Sequence, residues 1–107
     1  MDQDYNDLQK ATNDFRNSCE VLDSELKEEN DALIDFKEKE LEIRTKHWDK
    51  VVIGEMTNTL FTAAVKNESF KERVTYEKCK MNRKIAENRK DSLREKLYTS
   101  KKLYGIL

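Results

Sequence analysis

The sequence predicts an all-α protein, a long helical coiled coil. Three observations carry that expectation. Charged residues make up 40% of the chain against 36% hydrophobic. Turn formers are nearly absent, with no proline and glycine only at positions 54 and 105. Apolar residues recur at alternating steps of three and four. Few turn residues with abundant Glu and Lys favour long helices. The 107 residues suffice for one small domain at most, and a compact domain of that size struggles to bury enough core. A narrow apolar seam, covered by pairing helices, is the expected plan.

The first segment covers residues 5–47. With Tyr5 as position a, the seam reads Tyr5, Leu8, Thr12, Phe15, Cys19, Leu22, Leu26, Glu29, Leu33, Phe36, Glu40, Ile43 and His47. Its apolar members, chiefly Leu8, Phe15, Cys19, Leu22, Leu26, Leu33, Phe36 and Ile43, are the expected helix-pairing residues. Off-seam apolar residues are few: Ala11, Val21, Ala32, Ile34 and Leu41. Six heptads exceed the three or four that argue a coiled coil.

The second segment, residues 48–59, is a register slip with weak helix formers. Val51-Val52-Ile53-Gly54-Glu55-Met56-Thr57-Asn58-Thr59 combines β-branched residues with Gly and Asn. Glycine costs about 1 kcal/mol relative to Ala inside a helix. One continuous helix with a soft centre is the first expectation, because Val-Val-Ile makes a poor loop. An antiparallel helical hairpin turning near Gly54 is the alternative. The third segment, residues 60–104, is basic. After His47 the register slips by one residue, and the expected seam runs Ile53, Met56, Leu60, Ala63, Asn67, Phe70, Val74, Glu77 and Met81, then shifts to Leu93, Leu97, Tyr104 and Leu107. Gly105 suits a helix C-cap with Ile106 as its apolar partner.

The net charge of −1 hides an asymmetry. Residues 1–50 carry 15 acids and 8 bases, a net −7; residues 51–107 carry 7 acids and 13 bases, a net +6. A parallel homodimer would set like halves side by side. On this register the flanking pairs Lys39 with Arg44, Lys66 with Lys71 and Arg73 with Lys78 are also alike in charge. Antiparallel pairing, a hairpin and a heteromeric partner therefore stay open beside the homodimer.

Little points to chemistry. His47 is the single histidine and has no second ligand at metal spacing. Cys19 reads as a small buried hydrophobe. Cys79, between Lys78 and Lys80, has a basic setting but no histidine at hand to serve as its base. No glycine-rich phosphate loop occurs, so no catalytic group, metal or cofactor is expected. Two distant thiols without a leader segment suggest a reducing, cytoplasmic setting, with the nucleus compatible. No apolar run reaches membrane-spanning length. Lys78, Lys80, Arg83, Lys84, Arg89, Lys90, Arg94 and Lys96 are dense, yet acids lie among them. A solvated face is the plain reading of 78–102; nucleic acid or anionic membrane is the sharper one.

The most informative stretch is Glu55-Met56-Thr57-Asn58-Thr59-Leu60-Phe61-Thr62-Ala63-Ala64. With Leu60 on the seam, Phe61 points off it, and Val65 follows on the same face. Phe61 is thus a candidate anchor for a partner, unless it packs into a further helix of its own assembly. The stretch resembles the Glu-Leu-Thr-Ala-Ser-Leu-Phe-Glu-Glu-Ala motif of Rabin-type (Sec-two-like) coiled-coil exchange factors for Rab GTPases. Glu55, Thr57, Leu60, Phe61 and Ala64 are identical to it. Thr62 and Ala63 depart from it where the family carries acids, and family members are longer.

The resemblance implies a parallel homodimeric coiled coil that binds the switch regions of a Rab GTPase and promotes GDP release without covalent chemistry. Met56, Leu60 and Phe61 match its apolar contact positions; Ala64 and Val65 complete the expected partner-binding set. The functional expectation is a coiled-coil protein-interaction module, most specifically such an exchange factor in vesicle transport. A non-enzymatic coiled-coil subunit of a larger assembly is the alternative, and a basic helix for nucleic acid or anionic membrane the second.

Overall fold

The computed structural model describes residues 2–105. It is all-α, with coiled-coil-like helices α1 (Asp2–Val52), α2 (Asn58–Glu68) and α3 (Phe70–Tyr104). The continuous-helix expectation fails at Ile53. Gly54 takes φ 80°, a left-handed conformation in which a side chain would be strained. The Gly54 amide donates to Val51 O and the Glu55 amide to Lys50 O, at 3.2 and 2.8 Å. These are the two bonds of a Schellman C-cap, which uses up the last carbonyls of α1. Thr57 then caps α2: its backbone is extended and its Oγ1 accepts from the Leu60 amide at 3.2 Å. Val51 and Val52 stay helical, and of the Val-Val-Ile run only Ile53 enters the turn.

The α2–α3 junction is a single residue. Buried Ser69 donates from Oγ and from its amide to Val65 O. Such side-chain back-bonding loosens a helix locally and bends it. Gly105 closes α3 at φ 88°, as expected, with its amide donating to Lys101 O and Lys102 O. The expected roles of Ile106 and Leu107 lie outside the described residues.

The chain forms two compact units. One is Glu28–Lys80. Its core is Ile43, Phe61 and Val65, with Val51 and Met56 packed against them. Phe36 stacks on Tyr76 at 6.1 Å, His47 meets Glu68, and Trp48 meets Phe61. As numbers rise along α1, those of the partners fall. The other unit takes the described parts of Met1–Lys27 and Met81–Leu107. Leu8, Ser18, Leu22, Ala86 and Leu97 are buried there, and Tyr5 lies 5.8 Å from Tyr104. Within this unit residues 2–27 carry 7 acids and 3 bases, and residues 81–105 carry 3 acids and 8 bases. The two segments of this unit therefore carry opposite net charge.

The packed face corrects the expected seam. Leu8, Leu22 and Ile43 are buried and Phe15, Cys19, Leu33 and Phe36 half-buried. Tyr5 and Leu26 are exposed, whereas off the expected seam Ser18 and Ala32 are buried and Ala11 is half-buried. Two helices approach most closely over small side chains, so each unit turns its alanine or serine inward. The second seam is displaced as well. Leu60 and Phe70 are exposed in one unit and Met81 in the other; Phe61, Val65 and Ser69 are buried, with Glu72, Tyr76 and Cys79 half-buried. The Thr57 cap restarts the helix, so the phase of α2 does not continue that of α1.

Candidate protein-interaction site

A surface groove lies where the last turns of α1 meet α2. Trp48 reaches the Phe61 ring edge-on, with centroids 5.9 Å apart and planes at 67°. The Arg44 guanidinium stands over the same ring at 5.9 Å. Offset, tilted ring pairs and cation–ring contacts are both favourable geometries. Arg44, Thr45, Trp48, Asp49 and Phe61 line an open groove of about 480 Å³. Its lining combines two aromatic rings, a guanidinium and a carboxylate.

A polar clamp ties α1 to α2 near this groove. His47 Nε2–H donates to Glu68 Oε2 at 2.6 Å, and Lys46 Nζ donates to Glu68 Oε1 at 3.3 Å. The hydrogen bond from His47, aided by Lys46, holds the Glu68 carboxyl below its ordinary value. His47 is buried, and its Nδ1 has no protein partner. The expectation of a seam residue at His47 is met, with a partner that only the fold supplies.

The expected partner-binding residues divide. Phe61 is 8% exposed, within the cluster of Ile43 and Val65, while Leu60 is 58% exposed. Phe61 packs onto α1 and offers part of its ring to the groove. Met56 packs against the same cluster, and Ala64 is half-buried. Trp48 and Arg44, which the heptad reading passed over, form the accessible part of the site. A tryptophan one residue past a seam position was the available signal.

The bases of 78–102 do not gather on one face. Arg83, Lys90 and Lys101 lie on the half-buried side of α3, and Lys84, Arg89, Arg94, Lys96 and Lys102 are exposed. Arg83 pairs with Glu87 at 3.0 Å and Arg94 with Asp91 at 3.4 Å. Among the described residues, no His, Cys, Asp and Glu side chains group to hold a metal, and no helix is long and apolar enough to cross a membrane. Cys19 and Cys79 are both half-buried. Comparison with protein-family models, with curated proteins and with solved structures finds no match to this chain.

Proposed function

We propose that this chain is a helical protein-interaction module, folded back on itself as an antiparallel hairpin, that presents the Trp48–Phe61 groove to another helix. The observation that carries the reading is the groove: a half-exposed tryptophan on a buried phenylalanine, rimmed by Arg44 and Asp49. Aromatic and arginine side chains at the rim of a preformed cleft are the residues that anchor interfaces. The reversed order of the contacts 36–76, 47–68 and 48–61 supports the hairpin. It also sets the acidic first half against basic partners, which a parallel pairing of the seam cannot do.

Cross-linking in cell extract tests this. Wild-type chain should give products with other polypeptides that Trp48→Glu loses at unchanged helicity by circular dichroism. Identical products from both would sink the reading. Exchange on a Rab GTPase is the second reading, favoured by exposed Leu60 within the motif. It requires Phe61 to leave its contacts with Ile43 and Val65, which is why it stands second. Its test is GDP release from a panel of Rab GTPases, which the chain should accelerate and Leu60→Ala should not.

A further inference from the structure

We infer that residues 34–52 of α1 pair with the same residues of a second copy of this chain, parallel and in register. The inference rests on the interaction-module reading and names its partner. It uses a face that the sequence seam leaves out. Ile34, Leu41, Trp48 and Val52 are 46%, 65%, 54% and 66% exposed. With Glu38 and Thr45 they recur at steps of four, three, four, three and four along the side of α1 opposite Phe36 and Ile43. That spacing is itself a heptad seam, with Ile34, Leu41 and Trp48 at d and Glu38, Thr45 and Val52 at a.

The charges beside this seam choose the occupant and its direction. The e positions are Asp35, Glu42 and Asp49, all acidic; two of the g positions are Lys37 and Arg44, both basic. In a parallel pair each g side chain faces the e side chain five residues on in the other copy. Lys37 then faces Glu42 and Arg44 faces Asp49, and two-fold symmetry repeats both pairs. An antiparallel second copy sets g against g and e against e, base on base and acid on acid. A parallel second copy is therefore complementary where an antiparallel one is repelled. The original seam, by contrast, gives three like-charge pairs in the parallel arrangement.

The side chains are available for this. Lys37 and Glu42 are 66% and 70% exposed; Lys37 pairs with Glu40 and lies over the Phe36 ring, and Glu42 pairs with Lys39. Arg44 pairs with Glu40 at 3.9 Å and stands over Phe61. Exposed pairs of this kind contribute little and re-pair readily. Arg44, Thr45, Trp48 and Asp49 line the groove as well as the seam and its flanks, so the Trp48 indole of the second copy is the side chain that reaches it. Glu38 is the one charge on the seam; a polar residue at a fixes register at a cost in stability.

Sedimentation equilibrium of the full chain, 12.7 kDa as a monomer, tests the pairing. Wild type should sediment as a dimer. Lys37→Glu or Glu42→Lys alone should weaken it roughly tenfold, and the two together should restore it to within about threefold. Only the parallel arrangement predicts that rescue. Leu41→Glu should give a monomer of unchanged helicity. A monomeric wild type, single reversals without effect, or a double reversal without rescue each overturns the pairing. A monomer that still cross-links other polypeptides through Trp48 leaves the module reading standing, and one that cross-links none overturns both.

Discussion

Leu60 and Phe61 are sequence neighbours with opposite environments, and that contrast can be measured. Phe61→Ala removes a buried ring from the Ile43–Val65 cluster and should cost about 3–5 kcal/mol. Leu60→Ala truncates an exposed side chain and should stay within about 0.5 kcal/mol. Urea unfolding followed by circular dichroism reads both, and equal costs would put the phase of α2 in error. The His47–Glu68 clamp sets a pH dependence. The folded state holds the Glu68 carboxyl below its ordinary value of 4.5, so the folded state resists protonation more than the unfolded chain does. Its contribution is present above that value and is lost as pH falls below it, through the lowered folded value. Thermal unfolding between pH 3 and about 6 should show a stability loss on acidification that Glu68→Gln diminishes. An unchanged profile in the variant would remove the clamp from the account.

At the scale of elements, the two caps decide where α1 ends. Adding a side chain at Gly54 meets no neighbouring atom, so any cost comes from its φ of +80°. Gly54→Ala should therefore destabilise by about 1–2 kcal/mol, and Thr57→Ala by about 1 kcal/mol through loss of the α2 cap. Denaturant titration checks both; a stabilising Gly54→Ala would instead favour helix through this region. The helices themselves were legible in the sequence, since proline is absent and apolar residues follow helical spacing. So were the Gly105 cap and the α1 seam positions Leu8, Phe15, Leu22, Phe36 and Ile43. The exposure of Leu26 and burial of Ala32 were not, because hydrophobicity alone favours the leucine, whereas close helix approach favours the alanine. The phase of α2 was hidden for a different reason. A threonine cap resets a helix, and extending the α1 register across Gly54 carries an offset into every later position. The groove was legible only in part: Phe61 was singled out, but Trp48 and Arg44 needed the turn to bring them beside it.

For the whole molecule, charge supplies the simplest logic. The halves of the chain carry −7 and +6, so pairing one half with the other brings opposite net charges together. The proposed hairpin would satisfy that asymmetry within one chain, and the proposed pairing would use the exposed Ile34–Val52 face of α1. Both levels predict distinct neighbours for the aromatic rings. Phe36 should meet Tyr76, and Tyr5 should meet Tyr104, within one chain. Trp48 should meet Trp48 of the second copy. Isotope-filtered nuclear Overhauser spectroscopy on mixed labelled and unlabelled chain separates contacts within a molecule from contacts between molecules. The account predicts Phe36–Tyr76 and Tyr5–Tyr104 cross-peaks within the labelled chain and none of them in the intermolecular spectrum. Finding those pairs between chains, or finding neither pair, would contradict the hairpin at the centre of the account.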